Sequence, residues 1–314
     1  LNTAAKLKCL ELLPWPPAIS NGSWGLAFSN FTDSKFEERL AYAKGMGANS
    51  IKIVMSGLTQ VDFPPAPRFE QNVSVFAGLC RNYDLRIYTA ILGPGQLAQD
   101  SQANRNAEVL NACRGAAIVQ KYAYDLMTGI DLCNEINFHS GVRGWPNDET
   151  SVNTAMATDL SYMMSQFRIA VPGVPLTFSV YLNNRTDFAS DLMKLQSDLG
   201  CDFHDYHPYY RLNTRSDIQP SSVMVGADVA QLEAQSWFIG RHMIGECGIL
   251  NDNIPASLTA WVNGMAAQAA RPKSMGAVYF GDRSYSSDSE PGHYGINGRP
   301  VLEAAFKAWP YSQI

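Results

Sequence analysis

Short apolar runs rich in β-branched and aromatic residues alternate with longer segments of helical periodicity along the whole chain. The strand candidates are 24–29, 50–55 (SIKIVM), 85–91 (LRIYTAI), 129–133, 175–180, 202–205, 243–245 and 276–280. Between the first two, Thr32 or Asp33 offers an N-cap. Phe36, Leu40 and Ala43 then repeat at helical spacing, and Gly45 and Gly47 supply a stop. Comparable helical segments span about 69–82, 106–127, 151–170, 187–198, 227–241, 256–270 and 300–308. The pattern predicts a strand followed by a helix, eight times over.

Nearly continuous apolar strands covered by helices predict parallel strands buried on both faces, and eight such units predict a single-domain (β/α)8 TIM barrel over residues 1–314. Residues 1–20 are expected to form an N-terminal extension packing on the barrel. The long polar stretches 56–69, 93–105, 137–150, 210–225 and 282–299 all follow strands and precede helices. They therefore gather at the C-terminal face, where barrels of this kind build their sites. A doubly wound open sheet is disfavoured, because no GxGxxG follows the first strand and no GxxxxGK[ST] occurs. At roughly 39 residues per unit against roughly 31 in a 250-residue barrel, the excess length is assigned to the βα loops.

Composition narrows the partners. Lys and Arg number 24 against 29 Asp and Glu, the net charge is -5, and basic residues do not run together beyond an isolated pair or triplet. Nucleic acid is excluded as a partner on that ground. No apolar stretch reaches the roughly 18 residues that span a bilayer, so no membrane association is expected. Cys9, Cys80, Cys113, Cys133, Cys201 and Cys247 lack zinc-site spacing and read as buried thiols, with a Cys80–Cys113 disulfide left open. The chain opens at Leu1 without a charged and apolar leader, so any targeting peptide is expected to have been removed or never present. The sequons at Asn21, Asn30, Asn72 and Asn184, with the low charge of 17%, fit a secreted or periplasmic protein better than a cytoplasmic one.

Two carboxylates carry the chemistry: Glu135 in GIDLCNEINF and Glu246 in HMIGECGIL, at the ends of the fourth and seventh predicted strands. A carboxylate so close to a barrel interior is costly unless it faces an open, hydrogen-bonded site. Two facing carboxylates are what glycosidic cleavage requires, one to protonate the leaving oxygen and one to attack the anomeric carbon or activate water.

Asn134-Glu135 and Gly245-Glu246, together with His207-Pro208-Tyr209 after strand six, resemble the strand ends of clan A glycoside hydrolases, in particular the family 5 cellulase and mannanase group. The resemblance implies a retaining β-glycosidase with Glu135 as general acid/base and Glu246 as nucleophile. It further implies Asn134 on the sugar 2-hydroxyl, Tyr209 donating to Glu246, and His207 lining the same subsite. The chain departs from the family at three points. Lys52 stands where an Arg is usual, Phe280 or Tyr279 would replace the Trp that ends strand eight, and NEP is NEI. Trp145, in GVRGWPND, is a candidate sugar platform, whereas Trp237, Trp261 and Trp309 fall in predicted helices and read as core. Cys133, two residues before Glu135, reads as a small core thiol on the inward face.

The implied substrate is a β-linked oligo- or polysaccharide cut endo-fashion, with exo action as the variant, and no cofactor is implied. Two rivals come from other classes. One is a metal-dependent barrel hydrolase using His204, Asp205 and His207; the other is a carbohydrate-binding barrel that has lost its chemistry.

Overall fold

A computed structural model of the chain describes residues 6–12, 28, 35–55, 67–98, 101–137, 142–146, 151–182, 190–208, 218–248, 255–279, 281 and 295–309. In chain order they form β1 (Leu7–Glu11), α1 (Lys35–Gly45), β2 (Ser50–Val54), α2 (Pro67–Asn82), β3 (Arg86–Leu92), α3 (Pro94–Leu97) and α4 (Gln102–Ala123). There follow β4 (Met127–Cys133), α5 (Thr154–Ala170), β5 (Leu176–Thr177), β6 (Ser179–Leu182), α6 (Ser190–Asp198) and β7 (His204–Pro208). The last elements are α7 (Ile218–Glu233), β8 (His242–Cys247), α8 (Pro255–Ala269), β9 (Ser274–Tyr279) and α9 (Pro300–Lys307).

All strand pairs are parallel, in the order β5-β4-β3-β2-β1-β9-β8-β7-β6. The first and last strands are neighbours, since β1 pairs with both β2 and β9. β5 and β6 are two halves of one strand, separated only by Phe178; the first half pairs with β4 and the second with β7. The two ends of the sheet therefore meet in a single strand, and the sheet closes into a (β/α)8 barrel.

The barrel interior is sorted by height. Leu7, Cys9, Tyr88, Phe203, Met243 and Val278 form an apolar plug of their own, separate from the larger core between sheet and helices. Strand residues two apart share a face. One step further toward the C-terminal ends, the inward positions after Cys9 and Phe203 are thus Glu11 and Asp205, both buried. The outward positions, among them Leu10, Ile51, Ile53, Ile130, Leu132 and Ile244, belong to the core shared with the helices.

The first strand differs from expectation. It is Leu7–Glu11, so this part of the presumed extension is a barrel stave; Phe28, within the 24–29 run, is helical and packs edge-on against Phe36, Phe69 and Phe76. Lys8 and Glu11 hid the strand by interrupting its apolar pattern. Lys8 runs outward to donate to the Lys307 carbonyl at 3.1 Å, with its ammonium 5.0 Å from the centre of the Phe306 ring. Glu11 points into the barrel mouth, as described below.

α7 also starts earlier than its periodicity suggests, at Ile218, and ends at Glu233. Pro220 falls in its first turn, where no helical N–H is lost. Trp237 therefore lies beyond the helix, with its ring edge-on to His204. Trp261 and Trp309 are buried as expected. All six cysteines are free and buried, which leaves no Cys80–Cys113 bridge.

Candidate active site

β4 carries the first carboxylate to the rim and pins it there. Glu135 follows the strand with a positive φ of 57°, a left-handed backbone that a side chain adopts only when its surroundings hold it. The holding contacts come from β6. The Glu135 N–H donates to Ser179 Oγ at 2.8 Å, and that hydroxyl in turn donates to Asp131 Oδ2 at 2.7 Å. Asp131 Oδ1 accepts from the backbone N–H groups of Ser179 and Cys133, at 3.0 and 3.1 Å. Two residues on, the Asn137 side chain binds both backbone groups of Tyr181, at 2.6 and 2.7 Å, extending the ladder where the strand has ended.

β8 carries the second carboxylate. Its register against β9 slips between Ile244 and Cys247. Strict alternation would aim Gly245 inward and Glu246 outward, and the slip re-aims Glu246 into the mouth, as bulges beside active sites commonly do. Gly245 is required for a second reason. A β-carbon there would lie 1.7 Å from Asp205 Oδ1, so the Asp205 carboxyl occupies the space a side chain would need.

The two carboxylates converge on His207 and Lys52. His207 Nδ1 lies 2.8 Å from Glu135 Oε1 and 3.7 Å from Glu246 Oε2, and the ligand-type atoms of the three side chains all fall within 4.8 Å of one another. Lys52, fully buried, donates to Glu246 Oε2 at 2.8 Å and to Asn134 Oδ1 at 3.2 Å, with Glu11 Oε2 3.7 Å away. The Glu135 side chain is 19% exposed and that of Glu246 7%, so both can be reached from the mouth.

The electrostatics follow from burial among acids. Burial works against the Lys52 charge, but Glu246, Glu11, Asp131 and Asp205 outweigh it and hold the ammonium well above its usual range. Burial, reinforced by Glu246, pushes Glu11 far up. Asp131 is pushed up to about 7 by burial and the neighbouring Asp205. His207 is held above its usual value, because Glu246 and Glu135 overcome burial and Lys52.

Sequence expectations meet this geometry unevenly. Glu135, Glu246, Asn134, His207 and Lys52 are brought together. Tyr209 and Phe280 lie outside the described residues. Trp145 is not a platform: it is 4% exposed, and its indole N–H donates to the buried Asp159 at 2.9 Å. Tyr279 is not one either, since it faces outward against Trp261 and Phe306.

The metal triad of His204, Asp205 and His207 is not assembled. His204 points to the helix layer, donating to Gln196 and accepting from the Ile239 N–H. Asp131, Asp205 and His207 do approach within 4.8 Å. In that group both Asp131 oxygens already accept hydrogen bonds and the Tyr88 hydroxyl donates to Asp205 Oδ2. Glu11, Asp131 and Ser179 escaped sequence reasoning altogether. The available signal was a polar residue two positions from an inward one on an apolar strand, as in Cys9 to Glu11.

By sequence alone the chain matches no family model and no curated protein. Its fold is that of several solved structures. GH5_18 from Streptomyces cattleya, in complex with GlcNAc, superposes with a TM-score of 0.67 at 14% identity, covering 99% of this chain and 82% of that one. The endo-1,4-β-mannanase from Eisenia fetida gives 0.61 at 11%, covering 98% and 91%. The hyperthermostable endo-1,4-β-D-mannanase from Thermotoga petrophila RKU-1 gives 0.61 at 10%, covering 89% and 96%. The chain is thus similar over nearly its whole length to the barrels of glycoside hydrolase family 5, and at these identities the likeness is one of fold.

Proposed function

We propose that the chain is a retaining β-glycoside hydrolase acting on β-mannosidic bonds, with Glu246 as nucleophile and Glu135 as general acid/base. The observation that carries this reading is the approach of the two carboxylates from opposite strand ends, within 4.8 Å at their nearer oxygens. Retaining pairs lie about 5–5.5 Å apart, whereas inverting pairs need about 6.5–9.5 Å to admit a water. Lys52 keeps Glu246 ionised for attack on the anomeric carbon while Glu135 protonates the departing oxygen. Glu135 then takes a proton from the water that hydrolyses the glycosyl-enzyme. Because Asn134 Oδ1 accepts from Lys52, its amide N–H groups are left to the sugar 2-hydroxyl.

The choice of mannose is supported by similar folds: two are named as mannanases, and a GH5_18 structure from Streptomyces cattleya holds Manβ1-4GlcNAc. A panel of mannan, Manβ1-4GlcNAc, β-glucan, xylan and aryl β-glycosides tests the specificity. Rapid viscosity loss on mannan marks endo action, and release of a single sugar marks exo action. For the mechanism, Glu246→Ala should abolish turnover, and azide should restore it with an inverted glycosyl azide as product. Full activity in Glu246→Ala would sink the reading.

A further inference from the structure

Beneath the catalytic pair lies a buried chain of groups that the double-displacement reading leaves without a task. His207 turns Nδ1 to Glu135 and Nε2 to Asp205, whose Oδ1 is 3.8 Å away; ring and carboxylate are both wholly buried. At that distance the two atoms face one another without a formed hydrogen bond, and among the described residues neither Nε2 nor Oδ1 has a hydrogen-bond partner. Two acceptors facing one another in a dry interior would repel and leave both unpaired. A donor facing an acceptor is favourable, so the proton of the neutral ring belongs on Nε2. Nδ1 is then an acceptor toward Glu135 while that carboxyl holds its proton, and a donor once it has given the proton away.

Asp205 is itself built into place. The Tyr88 hydroxyl donates to Oδ2, and Gly245 supplies the space the carboxyl fills. The charged and titratable groups around the ring are Glu135 and Asp131 from β4, Glu246 from β8, Lys52 from β2 and Tyr88 from β3.

We propose that Asp205 is a positioning residue for the general acid: through Nε2 it fixes the His207 ring and keeps one proton within the Glu135–His207 pair, ready for the departing oxygen. The atoms balance simply. The proton passes from the pair to the glycosidic oxygen as the C–O bond breaks, and the incoming water returns one to the pair in the second step. This inference rests on the glycosidase reading above, but its first test does not use substrate.

That test is long-range proton–nitrogen NMR of the His207 ring, assigned by comparison with His207→Gln. The expected result is a protonated Nε2 from about pH 5 to 8, lost or weakened in Asp205→Asn. An unprotonated Nε2 in the unmodified protein overturns the proposal, whatever the enzyme hydrolyses.

The second test is the pH profile of kcat/KM on two aryl β-mannosides, one with a dinitrophenyl and one with a poor leaving group. Asp205→Asn should lose about tenfold or more on the poor leaving group and less than about threefold on the activated one. Its alkaline limb should move about half a pH unit or more toward acid, because an anion stabilising the proton is gone. Equal losses on both substrates with an unmoved limb would make Asp205 merely structural. Should Asp205→Asn fail to fold, Tyr88→Phe carries the test. Without its donor the Asp205 carboxylate attracts the ring proton more strongly, the alkaline limb should move the other way, and an unmoved limb overturns the proposal.

Discussion

Lys52 is the cation on which the buried acids of the mouth depend, since it touches Glu246 and faces Glu11 with no exposure to water. Lys52→Met would leave the Glu246 carboxylate without its cation, beside a Glu11 already pushed far up by burial. The expected cost is about 3–5 kcal/mol in urea denaturation near neutral pH, with kcat/KM reduced by about a hundredfold or more. A loss of activity without loss of stability would mean that the acids have another counter-charge. Trp145 calls for the opposite kind of test. Trp145→Phe removes one donor to Asp159, which keeps Gln102 at 2.7 Å and Arg105 at 3.3 Å, and should cost about 0.5–1.5 kcal/mol while KM stays within about twofold. A sugar platform would instead raise KM at little cost in stability. The two residues show where reading by residue type holds and where it fails. Lys52 was identifiable because its strand could be aligned with a known site pattern, while an aromatic in a loop reads the same whether it faces sugar or core.

At the scale of elements, two irregularities in the β8–β9 pairing make the site. One sits at Gly276, whose φ of 134° and lack of a side chain let β9 run against β1; a β-carbon there would lie 2.1 Å from the Leu7 carbonyl oxygen. Gly276→Ala should therefore cost about 3 kcal/mol or more, seen as a lower urea midpoint or as insoluble protein. A silent substitution would show that β1 does not close the barrel as described. The other irregularity turns Glu246 inward. Neither is readable from periodicity, which assumes regular alternation. The misplaced first strand has the same root: each face of β1 carries a charge, one lying along the helix layer and one inside the barrel. A strand with a uniformly apolar outward face, such as Ser50–Val54 with Ile51 and Ile53, was readable because that uniformity was its signal.

At the scale of the whole molecule, two buried histidines outside the mouth make stability depend on pH. His204 accepts the Ile239 N–H on Nε2 and is pushed down to about 3 by burial and by His242; His242 is pushed down to about 4 by burial, which outweighs its bond to Glu233. Both stay neutral in the fold, while in the unfolded chain they take up protons below about pH 6.5. For these two rings the unfolded state binds more protons in that window, so their contribution to stability is present above about 6.5 and falls as pH drops toward 4, by up to about 1.4 kcal/mol per pH unit for each ring. The buried acids work the other way: Asp131, pushed up to about 7, and Glu11 keep protons in the fold that the unfolded chain has released, so the rings' share is read as a difference between variants. Urea denaturation of the unmodified protein and of His242→Gln at pH 7, 6, 5 and 4 checks this: the variant should lose less stability, or gain more, toward pH 4, and identical slopes would mean that the ring is not buried neutral.

The sequon at Asn72 gives a further example of information the linear chain lacks. Its side chain is buried and donates to the Phe28 carbonyl at 2.7 Å, so it is closed to glycosylation in the folded protein. The alternation of strand and helix, and the two strand-end glutamates, were settled by the sequence itself, because periodicity and the cost of burying charge are local quantities. Which acids face one another across the barrel, that Asp205 stands behind His207, and that Glu11 joins Lys52 were decided only by closure of the sheet. Closure sets distances between residues far apart in the chain, and proton sharing depends on those distances.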